Sequence, residues 1–542
     1  MSSPYAWIRS TRPTRTLAWP LTLLATSVLL LFAACPALTA QARTSLVVAQ
    51  EVPVVELDPL AGYINAPSPY EVGLVLFDNL VAFDEQLHVV PSLATGWSVS
   101  ADGRTWTFHL RKGVKFHDGT EFDAQAVKFN LERYMDPQLN PLNRPLWDPL
   151  QAVDVVDRYT VRIVTKFPFP TLLNTLAHGS ASMVSPAAVK RYGKEFERHP
   201  VGTGPFKLAR FDPGSTVVVE RFDEYWGPKP GVDEITFRYV PDNSARVGLL
   251  LAGQADVITA VTPQDAVRLS STGGITVISR PTLRTVGIGF SFLHPALKDP
   301  KVRLAFNYAV DKAGIVKAIF LGQADVLDSP VAPDATGHLA VGAHPYDPQR
   351  ARELLREAGW IRSGSGLVEK NGEPLSVTLI TAEGAYPNDI QVVQAVANQL
   401  RAVGVDVRVL KVDKAGYWDY LKVPARDVKF DMFIWAFNPS NGDGGYTLSS
   451  LFKSNPDDQG VPLVWNIGRY RSARVDQLLA EADRTMDPQA RERVLGDAQK
   501  ALMEDNPYIW LYAERRITAV RGDVRGVSLL PTLFTNLRAV SR

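Results

Sequence analysis

Residues 102–129 read DGRTWTFHLRKGVKFHDGTEFDAQAVKF, the most clearly punctuated stretch of the chain. Thr105-Trp106-Thr107-Phe108-His109-Leu110 alternates, with Trp106, Phe108 and Leu110 on one side, the pattern of a strand with one face in a core. Asp102-Gly103 before it and Lys112-Gly113 after it are turn formers. Val114-Lys115-Phe116 reads as a short returning strand, closed by His117-Asp118-Gly119. Asp123 follows as a helix N-cap, with Phe122 and Val127 spaced to pack across the first turn. Ala126, Val127, Phe129, Leu131 and Tyr134 continue the apolar face.

The same alternation of strand and helix signals runs outward in both directions. Asp347 caps and Pro348 opens a helix that Gly359 ends, with Ala351, Leu354, Leu355 and Ala358 as its buried stripe. Residues 300–320 read as helical, restarting at Asp311 and stopping at Gly322. Interleaved elements without an internal repeat make the class α/β or α+β.

A chain of 542 residues is too long for one core, so two or three domains are expected. Apolar residues are 46% and charged residues 21%, an ordinary globular balance. A net charge of +1 lacks the basic excess that a nucleic-acid binder carries.

The first 42 residues stand apart. Arg9, Arg12 and Arg15 precede an apolar run from Leu17 to Ala34, and Ala40-Gln41-Ala42 has the small-x-small form of a signal-peptidase site. Cleavage after Ala42 is expected, leaving a secreted, periplasmic chain. Its loss takes three arginines and no acid, so the net charge moves from +1 to −2. The lone cysteine, Cys35, lies in this segment, which leaves the mature chain no disulfide, thiolate metal site or thiol nucleophile. Phe32-Ala33-Ala34-Cys35 also resembles a lipoprotein box, so a lipid anchor at Cys35 is the alternative. From Arg43 onward no apolar run is long enough to span a bilayer.

Catalytic and cofactor chemistry leaves no mark. The eight histidines form no HExxH and no pair at metal-ligand helical spacing. His117 reads as a turn residue. Gly202-Thr203-Gly204-Pro205-Phe206-Lys207 lacks the spacing of a phosphate loop, and Pro205 removes an amide such a loop needs. It reads as a tight turn entering a strand. No GxSxG or GxGxxG occurs. No cofactor, no metal and no enzymatic activity are expected; a secreted hydrolase would need a close carboxylate pair or a Ser–His pair in a cleft.

Several segments together carry a family resemblance. Ser92-Leu93-Ala94, Trp97-Ser98, Thr105 to Phe108, Leu110 to Gly119, Phe122-Asp123-Ala124 and Val127-Lys128-Phe129 resemble a signature stretch of family 5 solute-binding proteins of ABC importers, the peptide- and nickel-binding class. Pro200-Val201-Gly202-Thr203-Gly204-Pro205-Phe206 resembles a second signature. Tyr225-Trp226, Gly253-Gln254-Ala255-Asp256, Asp299 to Gly322 and Tyr346 to Trp360 follow in the same order.

The resemblance implies an α/β, bilobed periplasmic-binding-protein fold of type II with an extra third domain. One discontinuous lobe would comprise 43–80, 200–283 and 511–542; the extra domain 81–199; the second lobe 284–510. It further implies a monomer that closes around a peptide or peptide-like solute and delivers it to permease subunits driven by a cytoplasmic ATPase.

The solute is legible only in outline. In peptide-binding members an Asp shortly after a Gly-Trp pair holds the peptide's free amine. The resemblance puts Ala436-Phe437 at Gly-Trp and Ser440 at that Asp, and a serine lacks the charge-assisted bond an ammonium prefers. Asp443 matches a different family Asp, and a shift of the loop would bring it to the amine. A free-amine peptide and an opine, glutathione-like or metal-chelate solute therefore both stay open. Trp435, Phe437, Asn438 and Tyr446 belong to the same segment, its aromatics forming either a wall for the solute or strand packing. Arg144, with Trp147 nearby, is a candidate for a ligand carboxylate.

Overall fold

The computed structural model describes residues 44–61, 66–139, 144–462 and 465–542. The expected signal segment and Cys35 lie outside them. No helix among the described residues is long and apolar enough to cross a membrane.

Eleven strands form one continuous sheet. Its centre is two long antiparallel strands, Ile275–Phe290 and Tyr508–Arg521, which run side by side through both halves of the molecule. On one flank Met432–Phe437 pairs with Ile275–Phe290, followed by Ser376–Glu383 and Asp406–Asp413 in parallel. On the other flank Val257–Ile258 pairs with Tyr508–Arg521, followed in parallel by Ser45–Gln50 and Glu234–Tyr239, then by antiparallel Thr216–Arg221 and Phe206–Asp212. Parallel strands buried on both faces read as apolar runs, and Val48, Ala49, Leu379 and Ile380 are all buried.

The register sets the direction of each flank. Met432 lies opposite Phe290 and Phe437 opposite Thr285, so that strand points its carboxyl end at the middle of the crossing strands. Ala49 lies level with Ile258, and Ile258 with Ala519, so Ser45–Gln50 points its carboxyl end at the same middle from the other side. There the crossing pair is irregular: register shifts between Pro281 and Thr285. Such bulges re-aim side chains and accompany functional sites.

Buried apolar side chains gather in separate clusters. One holds Leu283 to Ala513 together with Leu87. A second draws on Leu46 to Phe77, Val184 to Val257 and Val520 to Val540, with a smaller neighbour around Val247, Leu250 and Leu269. A third, from Leu80 to Met183, covers a separate four-stranded antiparallel sheet.

The opening stretch folds locally as its punctuation requires. Thr105–Leu110 is a strand with Trp106, Phe108 and Leu110 buried, and Asp123 caps the helix Ala124–Met135 by accepting from the amides of Gln125 and Ala126. Asp347 and Asp311 likewise cap Pro348–Glu357 and Lys312–Phe320. The expected returning strand at Val114-Lys115-Phe116 is a correction: it contracts to a single bridge, Lys115 to Glu121. Gly113 and Gly119 hold left-handed backbone at both ends of it, and the turn closes through Phe116 N to Thr120 O, too tight for a ladder.

His117 joins two signature stretches. Its Nδ1 accepts from the Gly202 amide at 3.2 Å and its Nε2 bonds the Gly204 carbonyl at 3.0 Å. Burial pushes its pKa down to about 4, so the ring is neutral and can serve as acceptor and donor at once. Gly204 presses on the end of the helix Pro67–Leu76. A Cβ there would stand 2.5 Å from Val75 O and from the Leu76 carbonyl carbon. Gly204→Ala is expected to cost about 1–3 kcal/mol through forced backbone displacement. Urea unfolding checks this; an unchanged midpoint would show that the helix end yields freely.

Candidate functional site

In open α/β sheets ligands bind beyond the carboxyl ends of the strands. Here the carboxyl ends of both flanks converge on one seam across the middle of the crossing strands. Glu51 follows Ser45–Gln50, Thr259 follows Val257–Ile258, Tyr386 follows Ser376–Glu383, and Asn438 to Ser440 follow Met432–Phe437. The crossing strands contribute Arg284, Glu514 and Arg516.

Two charge clusters occupy the floor. Arg516, its side chain 6% exposed, donates to Glu51 at 2.8 Å and to Glu71 at 2.9 Å. Glu71, fully buried, also accepts from Gln50 Nε2 and the Thr535 amide, while Glu51 accepts from Thr259 Oγ1. Burial alone would raise both carboxyls; Arg516 brings Glu51 below the ordinary range, whereas Glu71, deeper and beside Glu51, stays above it. Burial opposes the Arg516 charge, but its two carboxylates hold its pKa above normal.

The second cluster is looser. Arg284 Nη1 stands 3.6 Å from Glu514 Oε2, beyond ordinary hydrogen-bond length, and its guanidinium lies 5.4 Å from the Tyr386 ring centre. Glu514 is 6% exposed, and its Oε1 has no hydrogen-bond partner among the described residues. Burial raises the Glu514 pKa, with Arg284 and Arg516 opposing it. Burial also pushes Tyr386 up to about 12, so it is a neutral phenol.

Across the seam, Ser440 Oγ meets His178 Nε2 at 2.7 Å, and His178 Nδ1 meets Ser180 Oγ at 2.8 Å. His178 is buried, which pushes its pKa down to about 4, so this chain of contacts is between neutral groups. Asn174 Nδ2 donates to Asn441 O, and Asn438 Nδ2 to Thr532 O.

The residues singled out from the sequence divide between seam and scaffold. Ser440 and Asn438 lie on the seam. The Phe437 and Tyr446 rings pack 5.6 Å apart, and Tyr446 also touches the apolar cluster around Leu80 to Met183. Trp435 is 4% exposed, edge-on to Trp418 and tilted against Trp465, within the core around the crossing strands. Asp443 caps the helix Gly444–Phe452 and makes a two-pronged bond to Arg491 at 2.7 and 2.9 Å, with both side chains buried. Its carboxylate is thereby occupied. Trp147 stacks on Tyr134 at 4.3 Å in the core, and Arg144, 40% exposed at its side chain, faces Asp148 at 3.6 Å.

Sequence patterning alone does not single out Arg284, Glu514, Arg516, Glu51, Glu71, Tyr386 or His178. One signal was available. Glu514-Arg515-Arg516 interrupts the otherwise apolar run Tyr508 to Val520. Charges in such a strand are buried only when paired.

Comparison with known proteins agrees with this architecture. The family described as Bacterial extracellular solute-binding proteins, family 5 Middle, matches residues 88–459. The glutathione-binding protein GsiB of Salmonella paratyphi A is 33% identical over 503 residues, covering 92% of this chain and 94% of that one. Among solved structures, NikA from Brucella suis in complex with Fe(III)-EDTA superimposes with a TM-score of 0.80 at 27% identity, covering 92% of this chain and 99% of that one. AppA from Bacillus subtilis, an oligopeptide-binding protein in complex with a nonapeptide, superimposes with a TM-score of 0.74 at 24% identity over 92% and 98% of the two chains, a likeness of fold. The mixed α/β architecture is thus the bilobed periplasmic-binding-protein fold of type II, its lobes joined by the crossing strands. With its seam at the carboxyl ends of both flanks and its match to the family over more than half its length, this chain belongs to the family 5 extracellular solute-binding proteins, the capture components of ABC importers.

Proposed function

We propose that this protein captures glutathione or a closely similar peptide acid in the periplasm and hands it to the permease subunits of an ABC importer. The observation that carries this reading is the state of the 436–446 loop. Ser440 stands where peptide-binding members are expected to hold an amine-binding Asp, and it is bonded to a neutral His178. Asp443, the other carboxylate on the loop, is closed off by Arg491. The loop thus offers no free anion to the amine of an ordinary α-linked peptide. A solute that carries its amine elsewhere, as the γ-linked glutathione does, suits it better. The 33% identity to a glutathione-binding protein supports the same choice.

In this reading the protein is a monomer cleaved after Ala42, with no covalent chemistry of its own. Its lobes are 43–80 with 200–283 and 511–542, and 284–510; 81–199 is the extra domain. The separate apolar clusters support that division in outline, although Val184, Ala188 and Phe196 pack with the cluster of the discontinuous lobe, and Leu283 and Leu511 to Ala513 with that of the second lobe. Closing the seam excludes water, so each polar contact to the solute gains strength. Ligand favours closure only through contacts that the open form lacks.

Thermal melting of residues 43–542 tests the solute. A ligand at about 100 times its Kd adds about 2.7 kcal/mol of stability. Glutathione is expected to raise the midpoint, and trialanine and nickel–histidine to leave it in place. A shift with trialanine and none with glutathione would overturn the reading.

A further inference from the structure

The loose pair on the floor of the seam contrasts with tighter arginine–carboxylate pairs among the described residues. Arg516, Arg491 and Arg538 each hold a carboxylate within hydrogen-bond distance. Arg284 and Glu514 are 3.6 Å apart at their nearest atoms, in a place where burial makes unpaired polar atoms costly. Glu514 Oε1 is buried and lacks a hydrogen bond, and the Tyr386 hydroxyl beside the pair finds no well-formed one among the described residues. Both side chains come from the irregular middle of the crossing strands, where register shifts between Pro281 and Thr285 and where the Thr282 hydroxyl holds the Glu514 carbonyl. The bulge carries Arg284 out of the ladder and sets it beside Glu514.

A buried anion with an unsatisfied oxygen, beside a cation that keeps a quarter of its side chain exposed, complements a ligand that carries both charges on adjoining atoms. An α-amino acid head does so, with ammonium and carboxylate on one carbon. From this geometry we infer that Arg284 and Glu514 form a clamp for the amino-acid head of the solute, Glu514 accepting from the ammonium and Arg284 donating to the carboxylate. Tyr386 backs the guanidinium through its ring face. Charge-assisted bonds of this kind are about twice as strong as neutral ones. The clamp rests on the glutathione reading and deepens it: the γ-glutamyl residue of glutathione exposes this head, whereas an α-linked peptide splits its ammonium and carboxylate between opposite ends. The amine anchor thereby sits on the floor of the seam and the 436–446 loop is free of it.

Calorimetric titration of residues 43–542 with glutathione and with N-acetylglutathione, which lacks the ammonium, tests the clamp. Wild-type protein is expected to bind glutathione at least tenfold more tightly than the acetylated compound. Glu514→Gln and Arg284→Met, which keep side-chain size, are each expected to weaken glutathione at least tenfold. Glu514→Gln should leave the acetylated compound unchanged, which a purely structural role would not do.

The pH profile of wild-type affinity is a second readout that needs no variant. The groups facing Glu514 are Arg284, Arg516, Tyr512 and Tyr386; burial raises both tyrosines, and the neighbouring carboxylates raise Arg516. Affinity should therefore fall from about pH 7 to about pH 5 as the burial-raised Glu514 takes a proton. Equal affinity for the two compounds, or unchanged affinity in either variant, overturns the clamp and leaves the solute reading intact. Failure of wild-type protein to bind either compound removes the solute reading and the clamp together.

Discussion

Replacing Arg516 by methionine is expected to cost the fold about 3–5 kcal/mol, the penalty for removing one partner of a buried ionic group. The substitution preserves most of the side-chain volume, so the loss is electrostatic. Glu51 and Glu71 would then face each other without the cation between them, and Glu71 is fully buried. Glu71 is already raised by burial and by Glu51, with Arg516 and the Thr535 contacts opposing that rise.

The sign of the pH dependence follows. A carboxyl whose folded pKa lies above its unfolded value binds its proton more readily in the native state. It therefore costs stability above that range and costs less as pH falls. The deficit of the variant should shrink between about pH 7.5 and about pH 5. Urea unfolding of wild type and variant at both values measures it. A deficit independent of pH would show that Arg516 acts through packing. Adding Glu71→Gln to Arg516→Met should recover part of the loss, since it removes the more deeply buried of the two charges.

Asp443→Asn is expected to destabilise the ligand-free protein by about 3 kcal/mol. The amide keeps the size of the side chain and can still accept from the Tyr446 amide, so the helix Gly444–Phe452 retains a cap. What disappears is the charge that meets Arg491 through two parallel bonds. Arg491 would be left with Asp483, a neighbouring carboxyl that burial keeps above its ordinary pKa and that offsets part of the loss. This result separates two roles for Asp443. A structural partner of Arg491 loses stability without ligand present; an amine anchor would keep the melting midpoint and lose affinity. Melting the unliganded variant and titrating it with glutathione distinguishes them, and unchanged stability with abolished binding would restore Asp443 to the site.

How much of the molecule was legible in the chain itself follows from the range of the forces involved. The alternation in Thr105–Leu110 and the caps at Asp123, Asp311 and Asp347 were readable because they act over two to four residues. The returning strand at Val114-Lys115-Phe116 misled because an apolar alternation does not report the left-handed glycines that bracket it. In the 436–446 loop the departure at Ser440 was visible, yet its bond to His178 was not, since the two lie 262 positions apart. Asp443 looked available to a ligand for the same reason: Arg491 is distant in sequence and adjacent only once the helices pack.

By itself, then, the sequence determined an α/β or α+β class, the local elements, the absence of a legible catalytic motif and the resemblance to a solute-capturing family. Only the tertiary structure decided which charges are spent and which remain free. Arg516 reaches Glu51 across 465 positions and Glu71 across 445. Arg284 and Glu514 come together because two long strands cross side by side and bulge at one level. Pairing of buried charges depends on distance and dielectric in the folded chain, and neither quantity is a function of spacing along it.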